Sequence, residues 1–211
     1  MFKNDPMKKT LSFLSAAILA SLVIAPVAGA ATKSCSTTQS VEEGPYYLSD
    51  SPTRSDVTDG QEGKKITLTF TVLNASCKPI KGARVDIWYA NAQGMYSGVD
   101  GNSGNYLRGT QITNAKGIAT FKGIYPGWYP ARTIHIHEKI WVGGQQVLTT
   151  QTYFTDKQNA AVMATAPYNL RGAQRVTNAT DMVLNRGTVN LQSALMKLSG
   201  SKATYSFVVN G

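Results

Sequence analysis

The sequence predicts an all-β protein with an antiparallel β-sandwich core, irregular flanking segments and little helix. Apolar and polar residues alternate strictly from Ile66 to Val72, which is the pattern of a half-buried strand. Glycine-rich turn signals separate several such runs, and no long window outside residues 1–30 has apolar residues at helical spacing. Many short strands with glycine-rich connections are typical of two packed antiparallel sheets.

Further short runs predict the other strands in chain order. They are Arg84–Ala90, Ile118–Phe121, Thr133–Val142, Gln145–Phe154 and Ala203–Val209. Gly143 and Gly144 lie between two of these runs and predict a two-residue hairpin turn. Residues 157–163 are compatible with one short helix, and residues 31–60 and 165–200 are expected to be irregular segments around the core.

The composition excludes several classes of protein. The chain has 211 residues, of which 42% are hydrophobic and 16% charged, so it is long enough to bury a core and too apolar to be disordered. Its net charge of +9 is spread without a run of like charges, and we therefore expect no nucleic-acid partner. Two histidines are too few for a three-histidine metal site, and Cys35 and Cys77 are not at the close spacing of a zinc-finger site.

The N-terminus has the pattern of a secretory signal peptide. Lys8 and Lys9 precede an apolar stretch, Leu11–Ala25, and small residues follow at Ala28–Ala30. We expect residues 1–30 to be removed and residues 31–211 to be exported to the periplasm or the extracellular space, with no stable membrane insertion afterwards. An uncleaved membrane anchor is the alternative.

Export changes the interpretation of the two cysteines. In an oxidising compartment Cys35 and Cys77 are the only pair available, and we expect a disulfide that contributes about 4 kcal/mol in the chain-entropy model. Two buried free thiols are the alternative. Both interpretations make the cysteines structural.

The two histidines lie close together in a predicted strand. His135 and His137 are separated by Ile136, so both imidazoles project from one face, with Cα atoms about 6.6 Å apart. That spacing suits two neighbouring sites on one metal ion, while Ile134, Ile136 and Ile140 face the core. A pair of surface or pocket histidines without a metal is the alternative.

Two tyrosine-containing segments precede the histidines. The three segments, in order, are Trp88-Tyr89-Ala90-Asn91-Ala92-Gln93-Gly94-Met95-Tyr96, Tyr125-Pro126-Gly127-Trp128-Tyr129 and Arg132-Thr133-Ile134-His135-Ile136-His137. Together they resemble the intradiol ring-cleavage dioxygenases, non-haem iron(III) enzymes that open catechols between their two hydroxyls. Auxiliary matches are Glu43-Gly44-Pro45-Tyr46-Tyr47, Leu107-Arg108-Gly109 and Tyr153-Phe154. The resemblance covers roughly residues 35–168.

The resemblance implies a cofactor and its ligands. Tyr96, Tyr129, His135 and His137 would bind Fe(3+), a hard ion that favours oxygen donors and lowers the pKa of a bound phenol. Tyr129 would be the ligand that leaves the iron and acts as internal base when the diol chelates. The implied partners are a small aromatic diol and O2, and the implied product is a muconate-type diacid.

Three further residues are predicted to lie at the site. Arg132 is expected to stabilise negative charge on the substrate. This role requires a bend in the chain near Pro130 that turns the Arg132 side chain toward His135. A surface salt bridge is the alternative role for Arg132. The resemblance implies that Pro45 and Tyr46 line the substrate pocket; for Tyr46 a place in the aromatic core is the alternative.

The sequence alone leaves the substrate range, the oligomeric state and two other functions open. Only five residues separate Tyr129 from His135, which predicts an open pocket with broad tolerance of ring substituents. Arg108 and Gln111 are candidates for neighbours of the site or for ordinary structural roles. The chain is expected to be a monomer or a small homo-oligomer. The competing functions are a catalytically silent iron or catecholate binder and a secreted adhesion or carbohydrate-binding module.

Overall fold

Eight strands form two four-stranded sheets in this computed structural model, which describes Met1, residues 34–187 and residues 189–210. The strands are β1 (Lys65–Asn74), β2 (Arg84–Trp88), β3 (Arg108–Ile112), β4 (Ile118–Ile124), β5 (His135–Val142), β6 (Gln145–Tyr153), β7 (Lys197–Ser199) and β8 (Lys202–Val209). One sheet has the order β4-β1-β8-β7 and the other β3-β2-β5-β6. Apart from Met1, the predicted signal peptide lies outside the described residues.

The core lies between the two sheets. Leu68 and Phe70 of β1 and Phe207 of β8 belong to the same buried cluster as Ile87 of β2 and Ile136 of β5. This burial follows the alternation in the sequence, because every second residue of a strand points to the same face. The predicted all-β sandwich is confirmed.

The strand predictions are confirmed except in three respects. β1 and β8 pair in parallel, whereas the other strand pairs in the described chain are antiparallel. β3 and the three-residue β7 were not expected, because neither has an alternating apolar pattern: β3 reads Arg-Gly-Thr-Gln-Ile. The runs at Arg84–Ala90 and Thr133–Val142 are also longer than β2 and β5.

Helix is scarce, as expected. α1 (Asp156–Met163) matches the predicted short helix and begins with a capping box between Thr155 and Gln158. Residues 34–60 contain no named helix or strand. The expectation of irregular structure was wrong for parts of residues 165–200, which contain β7, α2 (Leu191–Ala194) and two 3-10 turns. Within the described ranges, no helix has the length and apolar character needed to cross a membrane.

A disulfide fixes the N-terminal segment, residues 34–47, to the sandwich. Cys35 and Cys77 are bonded, with Cα atoms 5.4 Å apart, which confirms the predicted pair. Beyond it, the Thr38 N–H donates to Val208 O and the Val41 N–H donates to Thr149 O. These contacts carry the segment from β8 of one sheet to β6 of the other.

Candidate active site

The two histidines lie at the start of the central strand β5. His137 is opposite Trp88 of β2 and Gln151 of β6, so the strand is hydrogen-bonded on both sides. The two Nε2 atoms are 3.0 Å apart, and each histidine is 2% exposed. The predicted shared face is therefore present, and both imidazoles converge on one point.

The environment of each imidazole fixes its orientation. His135 Nδ1 donates to the carbonyl of Thr133 at 2.7 Å, so Nε2 carries the lone pair that faces the site. The His137 ring stacks on Trp88 with centroids 4.9 Å apart and an interplanar angle of 11°. Gly44 of the N-terminal segment also lies close to the ring, because a Cβ there would lie 3.3 Å from His137 Cε1.

The two predicted tyrosine ligands reach the same point from loops. Tyr129, in the β4–β5 connection, places its hydroxyl 3.1 Å from His135 Nε2. Tyr96, in the β2–β3 connection, lies with its ring centroid 5.7 Å from that of Tyr129 and 6.1 Å from that of His137. Its hydroxyl is buried and has no hydrogen-bond partner within the described part of the chain.

Close backbone packing brings the two tyrosine loops together. A Cβ on Gly127 would lie 2.2 Å from the carbonyl oxygen of Asn91 and 2.8 Å from that of Ala92, so only glycine fits. The Asn91 side chain in turn accepts hydrogen bonds from the N–H groups of Gln93 and Met95, each at 3.0 Å. These contacts explain the glycine and the asparagine of the two sequence motifs.

Burial controls the protonation of the four side chains. Desolvation holds the pKa values of His135 and His137 well below the ordinary value for histidine, so both are neutral at pH 7. Desolvation also raises the pKa of Tyr96 well above that of a free phenol and raises the pKa of Tyr129. Two neutral nitrogen donors and two protonated phenols result, and a bound cation is needed to ionise the phenols.

Arg132 lies beside this cluster in a buried ion pair. The bend expected near Pro130 is present: the Arg132 N–H donates to Tyr129 O at 3.4 Å, and Ala131 has φ 70°. Arg132 Nε donates to Asp181 Oδ2 at 2.9 Å, and Arg132 is only 8% exposed, so the pair is buried and not on the surface. The positive charge of Arg132 opposes the effect of burial on the pKa of Tyr129.

The sequence did not indicate the groups that hold Arg132. Asp181 also accepts from the Thr133 N–H at 2.8 Å, and Gln151 Oε1 accepts from both Arg132 Nη2 and the Tyr153 hydroxyl. Asp181 lies in a segment without regular periodicity, 49 residues from its partner. The only sequence signal is general: a buried guanidinium needs an acidic partner.

Arg108 connects the N-terminal segment to the Tyr96 loop. It is 1% exposed, and its guanidinium donates to Tyr46 O at 2.6 Å and to Ser97 O at 2.7 and 3.0 Å. Its positive charge also opposes the rise in the pKa of Tyr96. Of the two neighbours considered from the sequence, Arg108 is therefore at the site, whereas Gln111 donates to its neighbour Thr110 O.

A cavity of about 530 Å³ opens beside the four side chains. Its lining includes Tyr46, Tyr96 and Tyr129. The Tyr46 ring stacks on Tyr96 with centroids 4.6 Å apart, so the two rings together form part of the cavity wall. Pro45 is exposed and is not part of the lining, so its role in binding stays a prediction.

The donor set fits a hard, highly charged metal ion. The described residues contain no group of three or more His, Cys, Asp or Glu side chains that could hold a metal. A metal ion bound between the imidazoles would therefore need tyrosine oxygens as further ligands. The buried Tyr96 hydroxyl has no hydrogen-bond partner among the described residues and is suited to that role, as are the two neighbouring Nε2 atoms. Phenolate oxygen with imidazole nitrogen suits Fe(III).

The known proteins that this chain resembles are dioxygenases. The model of a family described as "Dioxygenase" matches residues 42–211. A chlorocatechol 1,2-dioxygenase from Pseudomonas putida is 28% identical, covering 53% of this chain and 52% of the relative. A catechol 1,2-dioxygenase from Pseudomonas sp. (strain EST1001) is 32% identical, covering 52% and 44%. The chain thus spans about half the length of the curated relatives it matches.

Solved structures share the fold over most of the chain. An intradiol ring-cleavage dioxygenase from Tetranychus urticae is 29% identical with a TM-score of 0.77, covering 83% of this chain and 95% of the other. The dioxygenase domain of a dioxygenase carbohydrate-binding protein fusion from Streptomyces sp. SirexAA-E is 33% identical with a TM-score of 0.61, covering 83% and 99%.

Proposed function

Because the chain belongs to the intradiol ring-cleavage dioxygenase family, we propose that it is a non-haem iron(III) dioxygenase for small aromatic 1,2-diols. It opens the ring between the two hydroxyls and adds both atoms of O2 to give a muconate-type diacid. The convergence of the Tyr129 hydroxyl, the Tyr96 ring and two imidazole Nε2 atoms beside a 530 Å³ cavity is the main support.

Tyr96, Tyr129, His135 and His137 would hold the iron. When bound, ferric iron supplies a Lewis-acidic centre that holds the deprotonated diol and makes its ring reactive toward O2. With both phenols ionised, both imidazoles neutral and one hydroxide, the charges sum to zero, which suits a site buried in low dielectric. A diol that gives up both protons preserves this neutral sum when it replaces the hydroxide and one phenolate.

Tyr129 is better placed than Tyr96 to take up a substrate proton. Tyr129 follows Pro126 and Gly127 on a loop, is only partly buried and borders the cavity. Tyr96 is 4% exposed and lies under the Tyr46 ring. The Tyr129 hydroxyl can therefore move away from the imidazoles and hold a proton at Oη, while Tyr96 keeps its position.

Arg132 supplies fixed positive charge next to the reacting ring. Asp181 and Gln151 hold the guanidinium in place, so no reorganisation is needed when negative charge develops on the diol. His135 is oriented by the Thr133 carbonyl, and Thr133 also donates its N–H to Asp181, which couples the orientation of Arg132 to that of His135.

The first test is the metal content, colour and oxygen uptake of the purified protein. We expect one iron per chain, a red colour from phenolate-to-iron charge transfer, and oxygen consumption when catechol is added. Treatment with an iron chelator should remove both colour and activity. A coloured protein that consumes no oxygen would instead indicate a silent binder, and a colourless, iron-free protein would favour an adhesion or carbohydrate-binding module.

Single variants test the ligand assignment. Tyr129→Phe and His137→Ala should lower iron content and abolish ring opening. Tyr205→Phe is the matched control, because Tyr205 is a tyrosine of the other sheet whose hydroxyl donates to Ser193 O. Full activity in Tyr129→Phe or His137→Ala would contradict the assignment.

We also propose that the chain is exported. The disulfide between Cys35 and Cys77 supports this location, because structural disulfides persist in oxidising compartments. N-terminal sequencing of the protein recovered outside the cytoplasm should give a start near residue 31, whereas an intact N-terminus on membrane-bound protein would indicate an anchor.

A further inference from the structure

We propose that the cavity beside the tyrosines is electrically polarised and selects diols by the charge of their ring substituent, with Asp100 favouring an ammonium or hydroxyl substituent and opposing a carboxylate. This inference rests on the proposed function and names the substrate class of that site. The sequence motifs did not single out Asp100, which lies four residues after Tyr96.

The inner end of the cavity carries a net positive charge from Arg108. Arg132 and Arg108 are both buried, and the charge of Arg132 is balanced by Asp181. Among the described residues, the hydrogen bonds of Arg108 go to carbonyl and hydroxyl oxygens and none goes to a carboxylate. The deprotonated diol end of a substrate would lie here, close to Tyr96 and Tyr129.

The outer end of the cavity has the opposite charge. Asp100 lines the cavity and is exposed, so it lies toward the solvent, and no basic side chain belongs to the described lining. Asp100 lines the same cavity as Tyr46 and Tyr96, and the Tyr46 ring stacks on Tyr96. Asp100 is therefore within electrostatic reach of a ring bound against the tyrosines.

A second polar side chain, Asn102, lies near Asp100 at the cavity. Asn102 lines the cavity, and its Nδ2 donates to Val99 O at 3.3 Å within the same loop. The Asn102 amide keeps a second N–H and Oδ1, so it can both donate and accept and does not discriminate by charge. The charge selection is therefore assigned to the Asp100 carboxylate, which matches a hydroxyl or ammonium group and repels a carboxylate.

The size of the effect follows from Coulomb's law. For unit charges about 7 Å apart at a partly solvated cavity mouth, with an effective dielectric constant of about 40, removal of one charge changes binding by about 3- to 10-fold. The effect has opposite signs for cationic and anionic substituents and is small for catechol itself. It should weaken as the salt concentration rises.

The test compares Asp100→Asn with the wild-type chain on four diols: catechol, hydroxyquinol, dopamine and 3,4-dihydroxybenzoate. Asparagine tolerates the positive φ of 50° at this position, so the variant should fold normally. Asp59→Asn is the matched control, since Asp59 is also acidic, partly exposed and at positive φ, but pairs with Arg54. The measurements are kcat/KM and, under nitrogen, calorimetric dissociation constants for the iron-loaded protein.

In the wild type, dopamine should be preferred to 3,4-dihydroxybenzoate. Asp100→Asn should lower kcat/KM for dopamine relative to catechol by about 3- to 10-fold and raise it for 3,4-dihydroxybenzoate by a similar factor, with the same trend in the dissociation constants. Asp59→Asn should leave both ratios unchanged.

Three other outcomes would overturn different statements. Ratios that are the same in Asp100→Asn and in the wild type would refute the polarised cavity while leaving ring cleavage intact. Diols that bind with the expected charge preference but are not opened would refute the proposed function and support the polarised cavity. A wild-type protein that binds none of the four diols would refute both.

Discussion

Asp181→Asn should strongly destabilise the fold, because Asp181 is the buried partner of Arg132. Asp181 is 0% exposed, and its carboxylate accepts from Arg132 Nε and from three backbone N–H groups, those of Thr133, Val183 and Leu184. An asparagine in the same place turns its NH2 group toward some of these donors and leaves Arg132 buried without a counter-charge.

Removal of one partner from a buried ion pair costs about 3–5 kcal/mol. For a domain of this size each kcal/mol lowers Tm by about 2–4 °C, so we expect a decrease of about 6–20 °C. The assay is urea and thermal unfolding of the metal-free protein, with its disulfide intact, followed by tryptophan fluorescence.

The control for Asp181→Asn is a surface pair. Asp59→Asn breaks the ion pair with Arg54, in which the Asp59 side chain is 42% exposed, and it should cost less than about 1 kcal/mol. The double variant Arg132→Met with Asp181→Asn should lose less stability than the sum of the two single changes, because neither charge is then left unpaired. An Asp181→Asn protein within about 1 kcal/mol of the wild type would refute the reasoning.

Three further predictions concern stability. Replacing both Cys35 and Cys77 by serine should cost about 4 kcal/mol in the chain-entropy model, since the disulfide joins residues 42 apart; an unchanged urea midpoint would contradict this. Burial raises the pKa of Tyr205 to about 12, above the value of about 10 in an unfolded chain. The stabilising contribution of the Tyr205 proton is therefore complete below about pH 10 and is lost as the pH rises toward 12, so Tyr205→Phe should show a smaller loss of stability than the wild type over this range. Gly127→Ala should cost about 1–3 kcal/mol by overpacking, because the new methyl group would meet the fixed carbonyl of Asn91; normal thermal stability would show that the two loops are not in close contact.

The sequence predicted the strands whose pattern is set by the core, and it failed where side chains at the site break that pattern. β1 alternates because one of its faces is buried, and it was predicted nearly to its ends. β3 was missed because its first residue is the buried Arg108, followed by Gly109, on which a Cβ would lie 2.6 Å from Val57 Cγ1. A buried guanidinium and a tightly packed glycine carry no strand periodicity.

The candidate site was predictable to the extent that it consists of local motifs. The His-x-His spacing determines the shared face of the imidazoles, and the two tyrosines occur in recognisable segments. The partners supplied by distant chain were not predictable, namely Asp181 for Arg132 and the Arg108 contact to Tyr46. These contacts depend on tertiary structure, since a single sequence does not indicate which of its acidic residues will lie beside a given arginine.

The position of β5 has a consequence for amide hydrogen exchange. Its backbone is hydrogen-bonded to β2 on one side and to β6 on the other, whereas Tyr129 lies at the start of a single turn closed by one 3.4 Å hydrogen bond. Deuterium should therefore enter the turn from Tyr129 to Arg132 through local opening, long before it reaches the amides of His135 and His137. The two histidines therefore lie on a strand whose amides exchange slowly, and Tyr129 lies on a turn whose amides exchange rapidly.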